Sequence, residues 1–329
     1  MSVVKSVAYI ILVLSPPILF TPLLLNFLGV DYYLSYKYDY LYSIKQFVPE
    51  ELAKLFFFES IPLQAFRVND VVVYFPGVFV ETILGILIFA VLGIDLLTSV
   101  AKHKMKTPDL AALMMFCYAG MCIGAFPLHS LKEIPAFDIL VDTPLIHTLF
   151  MFDSLCTSVV PPVMIVIELV TNGTLSANRG RHAALMITIL FWSLCYAGVV
   201  FHQPWIMFFL HIGTQLLFCP VLLAITRQRF KKQTSLVQRG RGESGCIHGF
   251  HWMVIAFLYS VVFASGGFTV PVYLSKISQN YFDPLTSVFF GCRCGMIAYY
   301  LYCKDQLECD CIHHKEYSSF HIREGTKRD

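Results

Sequence analysis

Long apolar runs, separated by short polar segments, set the pattern of this chain. Eight runs approach or exceed the length of about 20 residues that a helix needs to span a hydrocarbon core about 30 Å thick. They cover 7–30, 71–101, 109–128, 143–170, 183–201, 205–226, 250–273 and 286–302. In lipid, backbone polar groups must be satisfied within the segment, so all eight are expected to be helices. Helix-opening signals support several starts: Thr107-Pro108-Asp109, Asp142-Thr143-Pro144 and Asp283-Pro284-Leu285. The expected fold is an all-α polytopic transmembrane bundle of eight helices over 1–302. It carries an outer segment at 31–70 and a cytosolic Cys/His-containing tail at 303–329.

Composition agrees. Of the 329 residues 57% are hydrophobic and 14% charged, against about 45–50% and about 25% in soluble chains. A soluble globule cannot hide that much apolar surface, which excludes a secreted domain, a nucleic-acid binder and a disordered chain. Net charge is +2 and names no partner beyond the bilayer.

Charge placement fixes an expected orientation. With the N-terminus cytosolic, seventeen of the 24 Lys and Arg fall on inner segments, six on outer ones, and Arg293 lies inside a helix. The positive-inside rule then places both termini in the cytosol. A signal peptide in place of the first helix would leave seven spans. Its run of about 25 residues exceeds an h-region of about 7–15 and lacks a small-x-small cleavage site. Pro16, Pro17 and Pro22 instead suggest a kinked spanning helix, and Pro161-Pro162 an interruption of the fourth. Asn172-Gly173-Thr174 matches a glycosylation sequon on the cytosolic side, where it would stay unused.

The outer segment opens with six tyrosines between Asp31 and Tyr42 and continues as an amphipathic stretch with Phe56, Phe57 and Phe58. Aromatic rings favour the membrane interface. Two readings stand: a lid on the outer leaflet, or a gate over a pocket.

Ionisable groups within spanning helices are costly and mark candidate sites. At about 1.5 Å per residue, Glu81 and Asp153 fall near the midplane. His147, His211, Gln215 and Arg293 lie in the outer half, and His129 and His202 at outer helix ends. Gln215 follows His211 by four residues and shares its face. One reading is structural: Arg293 pairs with Glu81 or Asp153, and the histidines and Gln215 bond across helices. The other is a polar pocket open to the outer side, binding or transporting a small or lipidic molecule through Glu81, His147, Asp153, His202, His211, Gln215 and Arg293. A zinc site on His129, His147, His202 or His211 has suitable chemistry, but no pair has ligand spacing on one helix.

No residue earns a catalytic assignment. There is no G-x-S-x-G turn, P-loop, dinucleotide fingerprint or retinal-bearing lysine, so no cofactor is named. Two rival functions remain. A seven-helix receptor fits the basic loop 227–248, with Thr234, Ser235 and Ser244, but lacks an acidic-Arg-Tyr triplet after Glu168 and an Asn-Pro-x-x-Tyr ending. A metal-dependent membrane hydrolase requires the histidines to converge with Asp153. Cys303, Cys309 and Cys311 follow the last helix, where S-acylation is plausible chemistry. His313 and His314 stand nearby, but only Cys309-x-Cys311-x-His313 is tightly spaced, which is not a usual metal pairing.

Three stretches resemble the transmembrane protein 187 family: Phe75-Pro76 through Glu81 to Gly93, Pro135 to Leu155, and Cys195-Tyr196 through His202-Gln203-Pro204 to His211 and Gln215. The last is similar to the family's Tyr-His-His-Gln arrangement, with the proline displaced and the histidine spacing shorter. Glu81 stands where the family has an amide. The resemblance implies a multi-pass fold, draws interest to His202, His211 and Gln215, and carries no activity.

Overall fold

A computed structural model describes residues 2–33, 35–36, 76–102, 108–126, 143–238 and 293–304. These residues are helical apart from caps and turns. The helices are α1 (Val3–Leu28), α2 (Pro76–Lys102), α3 (Pro108–Phe126), α4 (Pro144–Thr171), α5 (Ala177–Val200), α6 (Pro204–Phe208), a π-helical turn (Phe209–Gly213) and α7 (Thr214–Gln238). A last helix, α8, covers 293–304.

Among the described residues, four helices are long and apolar enough to cross a membrane: α1, Thr82–Ser99 of α2, His147–Thr171 of α4, and α5. The apolar part of α3, Pro108–Gly124, is shorter. The expected run 250–273, most of the outer segment, His129, Cys309 and Cys311 lie outside the described residues, so the structure does not establish the count of eight.

Helix α4 is central and packs against α1, α3, α5 and α7, while α2 packs along α3. Glycines let α3 approach its neighbours. A Cβ on Gly124 would collide with the Leu149 carbonyl oxygen of α4, and one on Gly85 of α2 would stand 2.5 Å from Cys122 Sγ.

Helix α1 shows why these helices suit lipid. Its inward face carries Ser6, Ile10, Val13, Pro17, Thr21 and Leu25, three or four residues apart. Its outward face exposes Val4, Val7, Ile11, Ile18 and Phe27. A soluble amphipathic helix turns a polar face outward; here the hydroxyls face in and the large apolar groups face out. Inside, Tyr9 Oη donates to the Arg181 carbonyl at 2.9 Å, and Thr21 Oγ1 and Tyr196 Oη share a hydrogen bond of 2.8 Å. These bonds tie α1 to α5 at two levels.

Three local expectations are corrected. Pro161 and Pro162 do not interrupt the fourth helix; α4 runs through both. Each proline removes one N–H bond, and packed neighbours let such helices continue. Helix α7 runs past 226 to Gln238. Arg227, Arg229, Lys231 and Lys232 are good helix formers, and no Gly or Pro stops the helix before Gly240. The run 205–226 is not one regular helix, because Phe209–Gly213 forms a π-helical turn containing His211.

Candidate functional site

The first candidate site forms where the end of α1, the start of α4 and the end of α5 meet. Gly29 closes α1 with φ of +89° and donates its N–H to the Leu25 carbonyl at 2.9 Å. The left-handed conformation favours glycine. It turns the chain into a short helical stretch at 30–33, which brings Tyr32, Tyr33 and Tyr36 back onto the bundle. Tyr33 and Tyr36 are buried, so this part of the outer segment does not lie flat as a lid on the leaflet. Gly198 of α5 makes room: a Cβ there would meet Tyr36 Oη at 2.9 Å.

Two of the predicted histidines meet these tyrosines. His147, in the first turn of α4, is buried and packs edge-on to Tyr33 with ring centroids 5.1 Å apart. His202 follows α5 and packs edge-on to Tyr32 at 5.3 Å and to Tyr36 at 5.9 Å. Tyr33 and Tyr36 stand 6.3 Å apart. His147, Tyr33, Tyr36, His202 and Tyr32 thus form one continuous series of rings drawn from three parts of the chain. Aromatic contacts of this geometry contribute about 0.5–1.5 kcal/mol each beyond area burial.

The backbone at His202 is strained. Its φ is +50°, and among the described residues it is the one non-glycine residue with positive φ. Gln203 N–H bonds to the Gly198 carbonyl at 2.7 Å, and His202 N–H to the Val199 carbonyl at 3.1 Å. This is the double bond pattern that closes a helix around a left-handed residue, where glycine is usual. Histidine there costs of order 1–3 kcal/mol. Tyr32 Oη donates to the Val200 carbonyl at 3.1 Å and steadies the same turn.

The remaining predicted residues are distributed. Asp153 is half-buried on α4, six positions beyond His147 or about 9 Å along the axis. Its Oδ1 accepts from Thr157 Oγ1 at 3.4 Å. Arg293 is half-buried at the start of α8. Glu81 lies on α2, His211 in the π turn and Gln215 on the first turn of α7. Among the described residues no three His, Cys, Asp or Glu side chains converge to hold a metal ion. Cys303 is buried on α8, so acylation there would require the thiol to leave its packed position.

The opposite end of the bundle holds a polar cluster that the sequence reading missed. Arg181 Nε donates to Asp109 Oδ2 at 2.5 Å and its Nη2 to Oδ1 at 3.1 Å. Asp95 Oδ2 accepts from Lys304 Nζ at 2.8 Å and from Tyr300 Oη at 2.7 Å. Tyr302 Oη donates to Glu168, which is fully buried. Asp95 and Glu168 lie within apolar helices, so the rule that marked Glu81 and Asp153 marks them equally.

The chain matches no protein-family model, no curated protein and no solved structure.

Proposed function

We propose that the chain is a multi-pass membrane protein of eight spanning helices, with both termini cytosolic. In this reading the tyrosine–histidine cluster belongs to a polar site in the outer half, which binds or transports a small or lipidic molecule. Two arguments support the topology. Lys and Arg concentrate on the inner segments. Side-chain bonds also join helix ends that successive crossings bring to one side: Tyr9 with 181 and Arg181 with Asp109 at the inner end, Tyr32 with 200 at the outer end. The resemblance to the transmembrane protein 187 family belongs to the same proposal and adds no activity to it.

One observation carries the site: a histidine occupies a left-handed turn position that glycine would fill without strain, and its ring lies against Tyr32 and Tyr36. Strain of this kind concentrates at functional sites. His202→Gly separates strain from function. It relieves about 1–2 kcal/mol of left-handed backbone cost while removing the ring. Heat stability in detergent should change little, because the lost ring contacts with Tyr32 and Tyr36, at about 0.5–1.5 kcal/mol each, offset the relieved strain. Native mass spectrometry of the wild-type protein, purified in a mild detergent, should show a retained small molecule or lipid that His202→Gly and His147→Phe lose. Identical retention in all three proteins, or a wild type carrying nothing, would remove the outer site from the proposal.

A further inference from the structure

We infer that the exposed side of α7 is a binding site for a phospholipid of net negative charge, whose acyl chains lie along Leu217 and Val221 and whose headgroup is held by Arg227 and Lys231. One stripe of the helix supports both halves. Pro220, Ala224, Arg227 and Lys231 follow one another at spacings of four, three and four, and so share a side of the helix. All four are exposed. Leu217 and Val221 flank them and are exposed as well. The other side carries Leu222 and Thr226, both buried, and Thr226 Oγ1 donates to the Leu222 carbonyl at 2.8 Å. The exposed side therefore changes from apolar to cationic within one turn, between Ala224 and Arg227.

That change matches the dimensions of a bilayer edge. The hydrocarbon core is about 30 Å thick, and about 40–45 Å with the headgroups, which leaves about 5–8 Å for each polar layer. At about 1.5 Å per residue, Arg227 and Lys231 lie about 6 Å apart along the axis and span one such layer. Helix α7 does not stop at this level but runs to Gln238, so both cations stand on a helical frame rather than in a loop. Arg229 and Lys232 add positive charge to the same turns. Arg181 and Lys304 are engaged by carboxylates, whereas Arg227 and Lys231 have no carboxylate partner among the described residues. A choline headgroup cancels its phosphate with its own cation. A headgroup of net negative charge does not, and each Lys or Arg near such a surface favours it about fivefold. The site rests on the multi-pass proposal, which supplies lipid along α7, and on neither the outer site nor the sidedness.

The full-length protein, purified in a nonionic detergent, is heated with short-chain phosphatidylserine. Its heat-denaturation midpoint should rise with phosphatidylserine and stay flat with phosphatidylcholine of the same chains. Arg227→Gln combined with Lys231→Gln should raise the half-maximal phosphatidylserine concentration about 25-fold. Arg227→Lys combined with Lys231→Arg should keep it near the wild-type value. Lys5→Gln with Arg179→Gln, which removes exposed cations from α1 and α5, should change it little. Glycerophosphoserine, the same headgroup without chains, should not stabilise the protein. The site is overturned if phosphatidylserine has no effect or phosphatidylcholine an equal one. It is also overturned by an equal loss in the Lys5 and Arg179 variant, which would mean diffuse surface charge, or by full stabilisation with glycerophosphoserine, which would mean a site for soluble phosphate. His202→Gly should leave the phosphatidylserine response intact, so this site and the outer one fail separately. Release of the chain from membranes by alkaline carbonate would instead overturn the multi-pass proposal, and this site with it.

Discussion

Removing Arg181 should harm this protein more than removing its partner Asp109. The Asp109 side chain is 1% exposed and that of Arg181 14%. The guanidinium meets both carboxylate oxygens and also donates to Asn178 Oδ1 at 3.0 Å. Arg181→Met strands a buried carboxylate, a defect that costs about 3–5 kcal/mol. Asp109→Leu leaves an arginine that keeps Asn178 and can turn towards water, at about 1–3 kcal/mol. At roughly 2–4 °C per kcal/mol for a large domain, Arg181→Met should lower the heat-denaturation midpoint by roughly 6–20 °C. The double variant should recover most of that loss, because a well-packed apolar pair often matches a buried ion pair. The assay is size-exclusion chromatography of detergent-solubilised protein after heating, run on all four members of the cycle. Equal losses in the two single variants that simply add in the double would refute the reasoning, because uncoupled residues add.

Two further outcomes are expected. Gly124→Ala should cost about 1–3 kcal/mol, because its methyl meets the Leu149 carbonyl and the Asp153 backbone nitrogen, which cannot rotate away. Gly85→Ala, which meets the Cys122 side chain, should cost less in the same heating assay, and the reverse order would contradict the packing described. Asn172 should remain unglycosylated in membranes of the secretory pathway, although Thr174 Oγ1 sits 2.6 Å from Asn172 Oδ1 in an exposed turn. A sequon introduced into 31–70 should be used, as measured by a glycosidase-sensitive gel shift; the opposite pattern would invert the topology.

Helix positions were legible because each is written as a contiguous apolar run, and the predicted starts of α2 to α5 fall within six residues of those observed. What failed was rotation and partnership. Depth along a helix follows from counting residues, but which way a side chain points depends on packing that one run does not encode. Tyr33 and Tyr36 read as interface aromatics, because nothing local reports that Gly29 turns them inward. His147 and His202 are 55 residues apart and meet the same tyrosine pair. Within one chain, that proximity is written only in the packing of α4 and α5. Glu168 and Asp95 stand in apolar runs that carry no local sign of Tyr302, Tyr300 and Lys304, the distant side chains that engage them.

The inner pairs also bear on orientation. Arg181 and Lys304, counted among the charges that set topology, are each engaged by a carboxylate, Asp109 and Asp95. If orientation followed net charge, these pairs would weaken the assignment. It does not: insertion responds to Lys and Arg near the helix ends, and Asp and Glu contribute little. Even with both residues removed, fifteen inner cations face six outer ones. The same side chains can therefore serve twice. In the proposed topology they bias insertion while the chain is made, and in the folded bundle they join α5 to α3 and α8 to α2.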